Sequence, residues 1–533
     1  QSLQIVWKQR DILTLPSPTG ISEACRNRNG GMNAWIYNES PTKENLLFSF
    51  RDETGKEVCQ LPFLLDFKGW RCIWAKFQGD MNMSSKSNIQ SVEIQFPQHT
   101  KKGVTYIDLL EFTSKISWQN MSDAQYKVNR TDYSLIPDFI GYRNATPKVE
   151  KVITAEDNQI TTITDRLTTW YLGSGQHSSE RWIKMRTENE KTFIRNGVKA
   201  AQKIKIQYTE DHTPQGEPLF PMGAPTIIDG QEAKKFRSIN ENILLPLALD
   251  YRKNQNDQSL KKALYIYDWF NDQGWADGSS MGTLCFEKLR SSGYFHSFFL
   301  LKEQLSPEQL KRELQTMNWF TMFGACYQLP SHAGEVADNL RALAIPKLIY
   351  ALSQNDKQER EVALTAFKHY MDNALGIAPG FFGTFKADFS GYHHRGPYHS
   401  AYYPHALYAG ALIAYLLHDT PYALSETTLH NLKQGLLTFR FFCAGLEVPA
   451  GTVGRFPKGQ QILETLLPAF AYTALSFKEP DKELTVAFKR ILESTENQQA
   501  ITEYISNVNS NLAYTSTVGE IELVIQLASS SIA

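Results

Sequence analysis

The sequence predicts a multidomain α+β chain: an N-terminal, jelly-roll-like β-sandwich, then an incomplete (α/α) toroid, then the start of a C-terminal β domain. Three observations carry this. Short alternating apolar runs fill roughly the first 125 residues, apolar periodicity changes to one residue in three or four after about residue 235, and the last thirty residues lose that helical spacing.

The strands are expected at Met32–Tyr37, Asn45–Arg51, Glu57–Leu65, Phe67–Phe77, Ile89–Phe96 and Val104–Phe112, with Asp52-Glu-Thr-Gly55 as a turn. Strands recurring every ten to fifteen residues imply a sandwich over 1–125. Trp35, Trp70 and Trp74 in it could stack on sugar rings or fill a core. Residues 126–235 read as a linking and buttressing segment, with helical spacing over Val152–Tyr171 and Ser179–Tyr208 and a proline- and glycine-rich connection over Pro214–Pro225. The toroid is expected over 236–500, with helices at 239–252, 258–273, 297–322, 337–354, 358–374, 404–417, 424–443, 460–477 and 481–494. Residues 501–533, ending in the apolar run Ile521–Ala528, read as the opening of a β domain that is cut short.

Composition narrows the class. With 55 basic and 56 acidic residues, no global field favours nucleic acid or an anionic membrane surface. Apolar stretches such as 406–417 are shorter than the roughly twenty residues needed to cross a bilayer. The six cysteines (25, 59, 72, 285, 326 and 443) match no zinc spacing and are expected as free, mostly buried thiols, although Cys25, Cys59 and Cys72 could pair in an exported protein. A chain that opens on Gln1 fits a processed, exported protein.

Chemistry concentrates in one loop. Residues 392–405 hold four histidines, four tyrosines and an arginine, and Gly396, Pro397 and Pro404 prevent them from forming one helix. Other polar clusters interrupt the helices: Asp268–Trp275, Asn318–Phe320, His332–Arg341 and Gly454–Lys458. In a toroid the loops at one end converge, so Trp269, Trp275, Trp319 and Tyr294 are candidate sugar platforms and Asp277, Glu335 and Asp388 are candidate acids for hydrolysis. His393, His394, His399 and His405 could take a metal, but in no recognised pattern. No Walker loop, dinucleotide fingerprint, His-Glu-x-x-His or serine elbow is present.

The sandwich-to-toroid order, the Asp388–Tyr403 run and Gly454-Arg-Phe-Pro457 together resemble polysaccharide lyase family 8, and within it the chondroitin sulfate ABC lyases. The resemblance spans the whole chain in layout and is specific in three short segments. It implies that His394 is the catalytic histidine, that Tyr402 is the catalytic tyrosine if one residue is inserted in the loop, with Tyr398 and Tyr403 as alternatives, and that Arg455 is the cleft arginine. Asn339 corresponds to the asparagine that meets the substrate carboxylate; Arg341, His393, Arg395 and Tyr398, with the three toroid tryptophans, complete the expected substrate contacts. The family's catalytic glutamate is expected beyond Ala533.

The implied reaction is β-elimination on chondroitin and dermatan sulfates, giving 4,5-unsaturated products. The C5 proton beside a uronate carboxylate is a weak acid until that charge is neutralised, which an amide, a protonated histidine or an arginine can do. A phenol with an ordinary pKa of about 10 needs a positive neighbour to act as base, and Arg455 or His394 would serve Tyr402. No cofactor is needed for that chemistry, although calcium or another divalent ion could support the protein. The expected partner is an anionic glycosaminoglycan, the expected state a monomer, and the expected location a bacterial periplasm or the exterior. A glycoside hydrolase using the acidic residues and a silent glycan-binding protein are the alternatives.

Overall fold

Alternation in the first hundred residues builds two four-stranded antiparallel sheets in the computed structural model, which describes residues 2–116, 123–127, 139–210, 213–219, 234–279, 291–454, 458, 460–494, 497–506 and 517–531. The strands are β1 (Leu3–Lys8), β2 (Ile12–Pro16), β3 (Gly31–Asn38), β4 (Asn45–Arg51), β5 (Glu57–Leu64), β6 (Gly69–Lys76), β7 (Ser91–Gln95) and β8 (Lys102–Thr113), with helix α1 (Ile21–Arg26) between β2 and β3. Their order is β1-β8-β3-β6 in one sheet and β2-β7-β4-β5 in the other. The first two strands were not expected from the sequence. Their outward residues, such as Val6 and Ile12, are exposed and apolar, so the pattern of a half-buried strand is blurred.

β3 is buried along its whole length because both of its faces are covered. Met32, Ala34 and Ile36 point into the sandwich core with Ile73 and Ala75 of β6. Trp35, Cys72 and Trp74 point the other way, into the core formed by the helices. The period of two therefore makes this sheet the seam between the domains. Trp35 and Trp74 are core residues there, and Trp70 packs edge-on against Tyr37 with ring centroids 5.2 Å apart.

The helices are α2 (Phe139–Arg143), α3 (Asp157–Leu172), α4 (Arg181–Ala201), α5 (Lys234–Ile239), α6 (Leu245–Asn254), α7 (Asp257–Asp272), α8 (Ser292–Leu301), α9 (Pro307–Thr321), α10 (Ala337–Leu352), α11 (Lys357–Ala374), α12 (Tyr403–Leu417), α13 (Glu426–Phe442), α14 (Leu467–Leu475), α15 (Lys482–Glu493), α16 (Gln498–Ser506) and α17 (Val518–Ala528). Short ladders pair β9 (Gln207–Tyr208) with β10 (Pro214–Gln215), β11 (Tyr392–His393) with β12 (Gly396–Pro397), and β13 (Glu447–Val448) with β14 (Gln460–Gln461).

Helices α6, α8, α10, α12, α14 and α17 pack in succession, and α17 returns to α3 and α4, with α4 against α6. This circuit is the toroid's inner layer, and α7, α9, α11 and α15 pack against it from outside. Helices α3 and α4, read in the sequence as a buttress, are thus part of the wall. The span 297–322 divides into α8 and α9 because Ser306 caps α9 with Gln309 in a capping box and Pro307 opens it.

The C-terminal expectation is corrected. Residues 518–528 form helix α17, not the opening of a β domain. Val518, Ile521 and Ile525 recur at helical spacing, and Thr517 accepts the Glu520 N–H as its cap. Buried Glu520 accepts hydrogen bonds from the Tyr408 and Tyr472 hydroxyls, and Glu522 accepts the backbone N–H of Ser174 at 2.6 Å. A run of β-branched and apolar residues is ambiguous by composition, and these polar anchors decide it. Cys25, Cys59, Cys72, Cys326 and Cys443 are free thiols; Cys285 lies outside the described residues.

Candidate active site

The histidine loop becomes a tight hairpin. β11 and β12 pair Tyr392 with Pro397 and His393 with Gly396, which leaves His394 and Arg395 as the two turn residues. Both have positive φ, 49° and 69°, as a two-residue mirror-image turn requires. Asn-Gly is the usual occupant of such a turn. Holding His-Arg there costs on the order of 1–3 kcal/mol per residue, a cost seen mostly at functional positions. The strain projects the His394 ring from a fixed backbone.

Three anchors hold the hairpin. The Gly391 N–H donates to His399 Nε2 at 3.2 Å, the His399 N–H donates to Thr452 O at 2.9 Å, and Ser400 Oγ donates to Val453 O at 2.7 Å. Burial pulls His399 down to about 4, against the opposing charge of Asp388, so the imidazole is a neutral acceptor. Gly454 has φ 71°, and a Cβ there would lie 2.6 Å from the Tyr398 ring. The chain therefore reaches position 454 against the cluster. Arg455, the next residue, lies outside the described residues.

Around the hairpin four rings converge. His393 stacks on Tyr402 with centroids 3.8 Å apart, His394 meets Tyr402 edge-on at 5.7 Å, and Tyr398 meets Tyr402 edge-on at 4.7 Å. Tyr402 is the N-cap of α12, whose first turn is set by Pro404. The first turns of α10 supply the charges. Asp338 accepts from Arg341 Nε at 2.8 Å and lies 3.6 Å from His393 Nε2, and the Arg341 guanidinium stands 5.5 Å from the centre of the Tyr402 ring. Asn339 Nδ2 donates to Glu335 Oε1 at 3.2 Å, and Glu335 Oε2 accepts the Tyr370 hydroxyl at 3.0 Å.

The three candidate tyrosines differ in access. Tyr403 is 1% exposed, donates its hydroxyl to Phe389 O at 2.7 Å, and its phenol is pushed well up by burial. Tyr398 is buried at 4% exposure, whereas Tyr402 is half-buried. Arg395 is exposed at the hairpin tip. His405 is drawn down to about 4 by burial and by Arg341. Among the described residues no three His, Cys, Asp or Glu side chains group as ligands for a metal ion.

The tryptophan platforms are corrected. Trp269, Trp275 and Trp319 are at most 1% exposed, and Trp275 stacks on Phe320 with centroids 3.7 Å apart. Their faces are covered by protein, so no sugar can reach them. Tyr294 is likewise buried and donates to Glu313. Exposed rings that the sequence reading passed over include Phe381 and Phe382 in the loop before the hairpin, and Phe441 and Phe442 at the end of α13. Their signal was the glycine- and proline-bracketed run Ala378-Pro-Gly-Phe-Phe-Gly383. Asp338 was also missed, since a single acidic residue in a helix's first turn is ordinary.

Comparison with known proteins agrees with this layout. The family model described as "Lyase, catalytic" matches residues 146–498, and that described as "Lyase, N terminal" matches residues 1–128. The chain belongs to polysaccharide lyase family 8. Its lyase relatives include a chondroitin sulfate ABC exolyase of Bacteroides thetaiotaomicron, 26% identical across 89% of this chain and 48% of that protein. A chondroitin sulfate ABC endolyase of Proteus vulgaris is 24% identical across 93% of this chain and 52% of that protein. The chain thus spans about half the length of the curated relatives it matches. The chondroitin AC lyase of Streptomyces coelicolor A3, solved with chondroitin sulphate, shares the fold with a TM-score of 0.51 at 12% identity, over 70% of this chain and 49% of that one.

Proposed function

We propose that this lyase domain cleaves chondroitin and dermatan sulfates by β-elimination at uronic acid residues, with Tyr402 as the principal proton-transfer group. The observation that carries the reading is the half-buried Tyr402 phenol, set between the strained His394 turn and the Arg341 cation at the mouth of the toroid. In the scheme, the substrate carboxylate is met by the Asn339 amide and a neighbouring cation, which stabilises charge developing toward the enediolate. Tyr402, as phenolate beside Arg341, removes the C5 proton and then returns it to the departing C4 oxygen. Iduronate presents its C5 proton on the opposite face, and His394 is the second base for it. Arg455 is assigned to the cleft by resemblance.

The carboxylates needed for hydrolysis are occupied elsewhere. Asp277 receives Arg143 in a two-pronged contact at 3.0 and 2.7 Å, and Glu335 holds Asn339 and Tyr370. Asp388 is kept below the usual carboxylate range by the Ser390 hydroxyl. An inverting or retaining pair needs one carboxyl kept protonated, and Asp388 is moved the other way. Exposed Phe381, and Phe382 with one face against His332, offer rings for stacking on sugars. The scheme places no step on a divalent ion, and we assign the protein to the periplasm or exterior of a bacterium, as a monomer.

The test is ultraviolet absorbance during incubation with chondroitin sulfate and dermatan sulfate separately. Conjugated unsaturated uronate from both is expected. New reducing ends without that absorbance would mean hydrolysis, and unchanged polymer that is nonetheless bound would mean a binding protein.

A further inference from the structure

A groove of about 490 Å³ lies between α4 and the corner where α6 passes into α7, within the size range of ligand sites. Lys191, Arg195 and Lys199 line it at four-residue spacing, which puts them on one face of α4 over about 12 Å of helix. All three side chains are exposed. Arg195 and Lys199 have no carboxylate partner among the described residues, and Lys191 meets only Glu188 on its own helix, in an exposed pair of the kind that exchanges freely.

Like charges four residues apart weaken a helix slightly. An incoming polyanion removes that cost. The rest of the groove says which polyanion. Ile194 and Val198 form an apolar strip beneath the cations, suited to the C–H face of a sugar ring. Lys253 is held on the far wall by Glu190, and Asn254 and Asn256 are turned there through their amide N–H groups toward Asp250, at 2.7 Å each. Asp250, which also accepts the Ser259 hydroxyl, and Glu190 are buried and taken up by these donors, and the exposed Asn254 side chain offers its carbonyl oxygen to hydroxyl and amide N–H groups. Inorganic sulfate would use the cations alone. Among the described residues no aromatic side chain lines the groove, so none of them stacks a nucleobase there.

We propose that this groove is a non-catalytic binding site for a sulfated or carboxylated glycan chain, which tethers the polymer while the His394–Tyr402 cleft acts on another segment. The identity of the polymer rests on the lyase reading above; the site itself does not. The experiment compares the chain with its Arg195→Gln/Lys199→Gln variant in equilibrium binding to chondroitin sulfate polymer across a range of salt. About a tenfold or larger loss of polymer affinity is expected, with a shallower salt dependence, because two screened contacts are gone. Unfolding midpoint and turnover of a tetrasaccharide, too short to span both sites, are expected to stay unchanged. Unaltered polymer affinity would overturn the proposal. So would displacement of the polymer by inorganic sulfate or single-stranded DNA as effectively as by chondroitin sulfate oligosaccharide. A chain that binds polymer through Arg195 and Lys199 yet forms no unsaturated product would retain this site and lose the lyase reading. Product formation with identical polymer binding by both forms would do the reverse.

Discussion

Tyrosine, aspartate and arginine come together both at the seam between sandwich and toroid and at the toroid's mouth. At the seam, Tyr37 donates to Asp272 at 2.8 Å, buried Arg71 donates to the Asp277 carbonyl at 3.2 Å, and Arg143 grips the Asp277 carboxylate. At the mouth, Asp338 holds Arg341 and approaches His393, and both neighbour Tyr402. The residue types are the same. At the seam burial fixes each group on a protein partner and pushes Asp272 up to about 6, so the phenol serves as a structural donor. At the mouth Asp338 and Tyr402 are half-exposed and Arg341 is exposed, which leaves room for a substrate to join the network. Access, more than composition, separates the scaffold from the site.

The sharpest way to break this comparison is to delete one hydroxyl from each cluster. Tyr402→Phe is expected to lower kcat by about 10²–10⁴-fold with KM little changed, the range for loss of a general acid–base group. Tyr37→Phe should leave kcat intact. Measured by product absorbance on the same substrate, equal activity of Tyr402→Phe and the parent would move the base to Tyr398 or Tyr403.

Acid should separate the regions next. His399, buried neutral at about 4 against an unfolded value of about 6.5, contributes stability that is fully present above pH 6.5 and is lost as pH falls through 4. The full loss is about 3 kcal/mol, and it falls on the hairpin because the Gly391 N–H loses its acceptor. Denaturant midpoints at neutral and acid pH should show this. His399→Gln offers an amide oxygen that does not titrate and should flatten the acid limb; an unchanged limb would clear His399 of the role.

What the sequence made legible follows the same division. Periodicity located most of the strands and helices, because two-sided and one-sided burial leave regular marks. The loop at 392–405 stood out by composition, and its histidine and tyrosine lie together in the fold. Which way the tryptophans faced was not legible: Trp35 and Trp74 turn on strand parity toward a domain whose position no local pattern gives. Nor was the fate of 518–528, since Ile521–Ala528 is apolar enough for strand or helix, and the Glu520 contacts that decide it come from α12 and α14. Asp338 reaches the site through Arg341 on its own helix and through His393, fifty-five residues away.

At the seam, Tyr37→Phe is expected to cost about 1–3 kcal/mol, because Asp272 is left buried without its donor. The sign with pH also follows. A carboxyl raised to about 6 binds its proton in the folded state between its unfolded value and pH 6, so its burial favours folding at low pH and this favour is lost as pH rises through 6. The variant should therefore show a larger deficit at pH 5 or 7 in proportion to which form Tyr37 supports. Since its hydrogen bond favours the anion, the larger deficit is expected at pH 7, in urea midpoints.

The smallest expected effect tests whether Asp338 belongs to the site. Its carboxylate joins Arg341 at 2.8 Å and His393 at 3.6 Å, and these two groups bear on Tyr402 from the ring stack and from 5.5 Å. Removing its charge should loosen both. Because the Arg341 pair is partly exposed, Asp338→Asn is expected to change stability by less than about 1 kcal/mol. Its effect on kcat, about tenfold, would come from misplacing the cation that stabilises the Tyr402 phenolate, and it should carry a shift of the alkaline or acid limb of the kcat profile with pH. Asp338→Glu, which keeps the charge one methylene farther out, should recover part of the rate. A merely structural aspartate would lower stability and leave the limbs in place, and that result would return Asp338 to the scaffold and narrow the site to the hairpin and α12.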